Sequence, residues 1–242
     1  MSADLPLLSA HNLRKTYGST TALNGVSVGI RAGESVAVMG ASGSGKTTLL
    51  HCLAGIVQPD SGTVLLQLPG TRTDISSLND AGRSLLRRRD FGFVFQQGLL
   101  IPELTAGENV AMPLMLNGVR RAAAEASAAQ WLARLGLAGM EQRRIGELSG
   151  GQAQRVAIAR AQVTGAQVLF ADEPTGALDS RTSAEVMQVL LESTVHTGKT
   201  LVVVTHDPSV AAWCSRTITL ADGTTADGTI GDGSAQVRGG AR

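Results

Sequence analysis

Short, wholly apolar runs recur along the chain, each closed by a polar or turn residue. Residues 36–39, 91–95, 168–171 and 201–205 are β-branched or aromatic and too short for helices. Continuous rather than alternating hydrophobicity marks strands buried on both faces, as in parallel sheets. Helical periodicities lie between them. Residues 47–56 follow a glycine loop. Residues 152–164 place Val156, Ala159 and Val163 on one face and stop before Gly165. Residues 182–197 carry Val186, Met187, Leu190, Leu191 and Val195 and stop at Gly198. Strands alternating with helices predict an α/β core around a parallel sheet. Two regions break this rhythm. Residues 7–35 and 61–68 read as short strands and turns, an antiparallel sheet at one side. Residues 98–150 are mostly helical, with an alanine-rich stretch over 120–137 that sets Trp131, Leu132 and Leu135 on one face. That region reads as a helical insertion into the α/β core. Residues 221–242, rich in Gly, Asp and Thr, predict a last hairpin and then a flexible tail over 231–242.

Composition narrows the classes. The chain has 242 residues, enough for one large domain with a full core or two small ones. At 43% hydrophobic and 17% charged, a disordered polyelectrolyte is excluded. The net charge of +1 supplies no global field to recruit nucleic acid or a membrane surface, so no nucleic-acid partner is expected. No apolar run approaches the roughly 18 residues of a spanning helix. The start, Met1-Ser2-Ala3-Asp4, has neither the basic nor the apolar segment of a secretory leader. Cys52 and Cys214 lie far apart, outside any metal-ligand spacing, and read as two reduced thiols. The only lysines are Lys15, Lys46 and Lys199, so a lysine hints at a place where the arginine fork does not serve.

One of those lysines closes Gly40-Ala41-Ser42-Gly43-Ser44-Gly45-Lys46-Thr47, a match to G-x-x-x-x-G-K-[ST] between a predicted strand and a predicted helix. Glycines there let successive backbone N–H groups turn inward as an anion nest, and the helix N-terminus adds partial positive charge. Lys46 can extend to β- and γ-phosphates, and the Thr47 hydroxyl can ligate Mg2+. Alone, this loop means a nucleotide site of a kinase, a GTPase or an ATPase. A second site ends the run over 168–171 with Asp172 and Glu173. The alternation of an extended chain would aim them differently, Asp172 to hold Mg2+ through water and Glu173 to polarise an attacking water as general base. Gln96 and His206 follow two other predicted strands. If those strands are parallel neighbours, Gln96, Asp172, Glu173 and His206 converge on one sheet edge beside the glycine loop. There His206 would contact a γ-phosphate, and Gln96 could orient water and Mg2+ without titrating.

Leu148-Ser149-Gly150-Gly151-Gln152 opens another helix, with Ser149 and Gln152 at capping-box spacing. Paired glycines at a helix mouth also offer N–H groups to an anion. The chain thus holds two phosphate-binding helix tips, and one nucleotide cannot easily use both within a single small domain.

With these motifs in this order, the chain resembles the nucleotide-binding subunits of ABC transporters over essentially its whole length. Tyr17, the only tyrosine, matches the aromatic that stacks on adenine. Residues 40–47, with Thr48 after them, match Walker A; Gln96 matches the Q-loop, 148–152 the LSGGQ signature and 168–173 Walker B. Ala177-Leu178-Asp179 matches the D-loop, and His206 the switch histidine. The resemblance implies a P-loop NTPase (RecA-like) core with an antiparallel β subdomain and an inserted helical signature subdomain. The nucleotide-binding domain would span 5–230, with the helical part over 98–150. It implies ATP and Mg2+, the metal at Thr47, Gln96 and Asp172, and catalysis by Glu173, His206 and Gln96. Nucleotide contacts fall to Tyr17, Gly40, Ala41, Ser42, Gly43, Ser44, Gly45, Lys46, Thr47, Thr48, Ser149, Gly150, Gly151, Gln152 and Asp179. In this family two chains pack head to tail, each signature helix aimed at the γ-phosphate held by the other chain. The partner would be a second copy or a similar subunit.

Finer features look like the MacB/LolD/FtsE type and the antimicrobial-peptide export ATPases. These are Phe93-Val94-Phe95-Gln96, Pro102-Glu103-Leu104-Thr105, Glu108-Asn109-Val110 and Asp172-Glu173-Pro174-Thr175-Gly176-Ala177-Leu178-Asp179-Ser180. The resemblance implies an FtsX/MacB-like permease as a separate chain, its coupling helix received near 96–110, and a peripheral place on the cytoplasmic side of the cell membrane. Outward transport is favoured, the alternative being an FtsE-like ATPase that signals through its membrane partner without transport. A repair-type ABC ATPase would need a long coiled coil, and a translation-type one two motif sets. A simple P-loop kinase leaves 148–152 unexplained. Departures are few: Ala153 where a polar residue is usual, and Gln162-Val163 near the usual leucine. An arginine-rich piece over 85–90 reads as a solvated helix face.

Overall fold

A computed structural model describes residues 5–96 and 99–225. The chain opens with β1 (Leu8–Tyr17), β2 (Thr20–Ile30), β3 (Ser35–Met39) and α1 (Lys46–Leu53). It continues through β4 (Ser61–Leu68), β5 (Thr71–Asp74), α2 (Asp80–Arg89) and β6 (Phe91–Phe95). Next come α3 (Ala106–Leu116), α4 (Arg121–Arg134), α5 (Gly150–Gln162), β7 (Val168–Asp172) and α6 (Ser180–Ser193). The last described elements are β8 (Thr200–Val204), α7 (Pro208–Ala211), β9 (Arg216–Ala221) and β10 (Thr224–Thr225).

Two sheets result. One is antiparallel, in the order β2-β1-β4-β5. The other has the order β10-β9-β3-β8-β7-β6 and is parallel from β9 to β6. The fold class expected from the sequence is the one found. Every residue of β8 is buried, which is why its sequence, TLVVV, shows no polar alternation. Alternation instead sorts side chains between two cores. Val36, Val38, Val168, Phe170, Val202 and Val204 face α1 and the antiparallel sheet. Leu169, Ala171, Leu201 and Val203 face the side on which α3, α4, α5 and α6 bury Val110, Leu132, Val156 and Leu190. Each fully buried Leu, Val or Phe of this kind contributes about 1.5–3 kcal/mol.

Several boundaries differ from expectation for local reasons. The helix expected over 182–197 ends at Ser193. Thr194, fully buried, takes φ −114° and ψ −78° and starts a separate 3-10 turn, Val195–Thr197. Thr194 is held by Gln162, whose Nε2 donates to Thr194 Oγ1 (2.8 Å) and to Ser193 O (3.0 Å). The Gln162 amide oxygen accepts from Lys199 Nζ (2.9 Å), which also stands 5.7 Å from the centre of the Trp131 ring. This departure from the family's usual leucine is a buried, satisfied polar bridge. The expected last hairpin is β9–β10, turned by Asp222-Gly223, both with positive φ as a two-residue Asp-Gly loop requires. The tail expected over 231–242 lies outside the described residues.

Candidate nucleotide site

Four parallel strands deliver the chemistry-bearing residues to one edge. β3 runs into the glycine loop, β8 ends just before Thr205 and His206, β7 ends in Asp172, and β6 hands over to Gln96. The parallel registers Phe95↔Asp172 and Asp172↔Val204 align those ends across neighbouring strands. The expected convergence of Gln96, Asp172, Glu173 and His206 is therefore a consequence of strand order.

The glycine loop needs its glycines. Gly40, Gly43 and Gly45 have φ of 154°, 79° and 99°. A Cβ on Gly40 would lie 2.3 Å from Leu220 O, and one on Gly45 would lie 2.2 Å from Ala22 O. Neither backbone oxygen can yield, because the β9–β10 hairpin is pinned behind the loop: Gly223 N donates to Ser44 O (3.2 Å), and Asn24 N donates to Gly223 O (2.7 Å). Inside the loop, Ser44 Oγ is buried and has no hydrogen-bond partner. A buried unpaired hydroxyl is rare and costly, and a ligand oxygen is what it lacks. Lys46, 8% exposed, does not extend outward; its Nζ donates to Gly40 O and Ala41 O, both at 2.8 Å. The Lys46 side chain lies across the nest, next to any anion held there. Ala41 and Ser42 complete the rim as exposed residues, and Thr48 continues α1.

Thr47 Oγ1 donates to Asp172 Oδ1 at 3.5 Å, so hydroxyl and carboxylate from two elements share one point. These are hard oxygen donors, the set Mg2+ takes with phosphate oxygens and water. Among the described residues no cluster of three or more His, Cys, Asp and Glu offers a complete metal site. The Thr47 and Asp172 oxygens fit a hard divalent cation. Burial pushes the Asp172 carboxyl above the ordinary range, and Glu173 acts in the same direction; His51, the Thr47 hydroxyl and Lys46 oppose this. His51, one turn beyond Thr47, is itself pushed down by burial, with Asp172 opposing. No motif singles out His51; the packing of α1 against β7 brings it near Asp172.

Glu173 corrects the extended-chain reading. It does not continue β7 but takes φ 47°, left-handed for a non-glycine residue, and its N–H donates to Val204 O (2.9 Å). Such a conformation costs of order 1–3 kcal/mol and persists only where its surroundings enforce it. The reversal turns the carboxylate towards β8. Glu173 Oε1 lies 2.7 Å from His206 Nδ1 and accepts from His206 N (3.1 Å); Oε2 accepts from Thr205 Oγ1 (3.4 Å). A carboxylate only accepts, so Nδ1 carries the proton and Nε2 faces away from the pair. His206 is 71% exposed and Glu173 20%, so the imidazole forms the outer member. Gln96, exposed, lies against Gly176, where a Cβ would come within 2.8 Å of its Nε2.

Tyr17 is half exposed at the end of β1, with Lys15 Nζ 5.5 Å from its ring centre and tied to Asp60 at 2.7 Å. Asp179 caps α6: Oδ1 accepts from Arg181 N and Thr182 N, and Oδ2 from Thr182 Oγ1 (2.7 Å). The backbone and side-chain bonds from Thr182 hold its carboxyl below the usual range.

The tip of α5 is built differently. Ser149 Oγ accepts from Gln152 N (3.3 Å), and Gln152 Oε1 accepts from Ser149 N (2.9 Å), the expected capping box. This leaves the N–H groups of Gly150 and Gly151, the first two of the helix, outside the box. Gly151 also has a packing reason, since a Cβ there would meet Thr182 Cγ2 at 2.5 Å. α5 lies on β6, and β3 is three strand spacings away, roughly 14 Å across the sheet. The two phosphate-ready tips of one chain are therefore separate.

Comparison with known proteins agrees with this geometry. The ABC transporter family model matches residues 23–176. The chain is 46% identical over 227 residues to the lipoprotein-releasing system ATP-binding protein LolD of Syntrophotalea carbinolica, covering 92% of this chain and 98% of that protein. It is 43% identical over 229 residues to the macrolide export ATP-binding/permease protein MacB of Nitrosomonas europaea, of which it spans 34%. Among solved structures, a dimeric post-hydrolysis state of the ATP-binding cassette MJ0796 bound to ADP and Pi superposes with a TM-score of 0.81 at 39% identity, covering 90% of this chain and 96% of that one. The chain belongs to the ABC transporter family as an ATP-hydrolysing cassette of the MacB/LolD type.

Proposed function

We propose that this chain hydrolyses ATP between two copies of itself, or with a similar subunit, and thereby drives a separate FtsX/MacB-like membrane permease, exporting its cargo. The observation that carries this reading is the pairing of a finished phosphate nest with a distant, self-capped helix tip whose first N–H groups are left over. Among the described residues no helix is long and apolar enough to cross a membrane. The match over 98% of the length of an ATP-binding protein LolD supports a permease on another chain, with this one at the cytoplasmic face beside it.

In the site, Tyr17 stacks on adenine, and the N–H groups of residues 40–48 with Lys46 hold the phosphates. Mg2+, held by Thr47, Asp172 and Gln96, would neutralise charge on the phosphate oxygens. Glu173 accepts a proton from water as that water's oxygen bonds to the γ-phosphorus and the bond to the β-phosphate oxygen breaks, releasing ADP. His206 fixes the Glu173 carboxylate through Nδ1–H and turns its Nε2 side to the γ-phosphate, to which it donates as the doubly protonated ring. Ser149, Gly150, Gly151 and Gln152 of the opposite chain complete the anion site, and Asp179 shapes the contact between the copies.

The segment expected to receive the permease, 96–110, has a groove beside it that supports this reading, although no groove residue lies within the segment itself. A groove of about 230 Å³ lies between α2, β6, α3 and α5, walled by Phe93, Pro113 and Leu116 and by Arg87, Arg88 and Arg160. No carboxylate lines it among the described residues. Burial lowers both Arg87 and Arg160. The chemistry calls for a short helix of the permease carrying apolar side chains and a carboxylate. Glu173→Gln tests the catalytic core: kcat falls by about 10²–10⁴ while ATP still binds, and near-normal turnover contradicts the role of Glu173. With the permease reconstituted, ATPase stimulation that depends on transported cargo supports export; a permease with a closed interior and no such stimulation supports the signalling alternative.

A further inference from the structure

We propose that Gln154 is a positioning residue that ties the signature-helix tip to Gln96, so that engagement of the tip by one nucleotide is felt at the water and Mg2+ position of the other. Gln154 lies two residues beyond the capping box and is only 4% exposed. Its Nε2 donates to the carbonyl oxygen of Phe95 at 3.0 Å. Phe95 is the last residue of β6, and Gln96 follows it directly. Among the described residues β6 is the edge strand of its sheet, with no strand paired beyond it. The Gln154 amide therefore fixes the peptide from which Gln96 departs.

Both ends of this link are themselves held. Further along, α5 presses on β6 so closely that a Cβ on Gly92 would lie 2.3 Å from Ala161 O. The helix and the strand thus meet at two points about two turns of helix apart. On the other side of α5, Arg155 Nη2 bonds Glu185 of α6 at 3.1 Å, and Gly151 seats the Thr182 methyl. Gln96 in turn rests on Gly176 of the segment that leads to Asp179. A push on the tip at Gly150 and Gly151 has a short bonded route to Gln96: about one turn of helix, one side-chain amide and one peptide. A buried amide is suited to this, because it loses more by breaking its one strong contact than by moving with it.

The inference rests on the role given above to Gln96, and a double-mutant cycle separates the two. Gln154→Met keeps length and volume but removes the donor. If the link holds, Gln154→Met lowers kcat about tenfold and shifts the Mg2+ dependence, with KM for ATP changed less than twofold and Tm near that of the parent chain. In a Gln96→Ala chain the same change has no further effect on kcat. Gln154→Asn, an amide of shorter reach, is carried through the same cycle and gives a smaller loss with the same coupling. Additive effects of the Gln96 and Gln154 changes overturn the inference, as does a Gln154→Met chain with normal kcat. A Gln96→Ala chain with normal kcat contradicts the role of Gln96 itself; a Gln154 loss that survives in that chain overturns the link.

Discussion

The glycine loop over 40–47 and the helix tip over 149–152 both present backbone N–H groups, yet they are built on opposite principles. The loop is strained and deeply backed: three glycines with positive φ, two of them against backbone oxygens that leave no room for a methyl, and a buried lysine across the mouth. The tip is an ordinary helix start that satisfies two of its own donors with its own side chains and stands exposed at Ser149 and Gly150. The first is a site in its own right. In the proposed assembly the second is part of one, shaped by its own capping box and therefore cheap to present to another molecule. Substitutions in the two places should fail differently.

The largest effect is expected in the loop. Gly45→Ala sets a methyl against Ala22 O in a left-handed backbone, and the chain loses ATP binding outright or fails to fold; isothermal titration beside circular dichroism distinguishes the two. Lys46→Ala leaves the fold intact and weakens ATP binding by about 10²-fold, the worth of roughly two charge-assisted contacts. Unchanged affinity contradicts the phosphate role. At the tip, Gly150→Asp adds a negative charge at an exposed position. It should leave ATP affinity of the single chain within about twofold and abolish ATPase activity, because like charge meets the γ-phosphate only in the assembled pair. Weakened binding to the single chain would erase the distinction between the two regions. Tyr17→Ala should raise the ATP dissociation constant about tenfold with kcat nearly unchanged, the worth of one base–aromatic stack. The smallest effect concerns the thiols. Burial pushes Cys52 up to about 12 and Cys214 up to about 11, so both stay protonated at pH 8. Alkylation of the folded chain at that pH is slow at both and becomes fast in denaturant.

The same contrast explains what could be read in the sequence. Buried parallel strands announce themselves as unbroken apolar runs, and β3, β6, β7 and β8 begin and end within one or two residues of expectation. The glycine loop and the capping box are local motifs and are legible for that reason. Elements made by their neighbours are not. α2 is largely charged and buries only Leu86, so its sequence offers almost no apolar face. β5, with the sequence TRTD, is a strand because β4 pairs with it. β9 joins β3 in parallel across the full length of the chain, and no local pattern marks that. At the site, the residue types were legible but the reversal at Glu173 was not, since it depends on Val204, Thr205 and His206 from another strand. The three lysines fulfil their hint: each Nζ donates to compact single oxygens, of Asp60, of Gly40 and Ala41, and of Gln162.

The most direct measurement is sedimentation of the Glu173→Gln chain with and without ATP and Mg2+, alone and combined with Gly150→Asp. Nucleotide should shift the single variant from one copy to two, while the double variant binds ATP and stays single. A Glu173→Gln chain saturated with ATP that sediments as one copy under every condition contradicts a nucleotide shared between two chains.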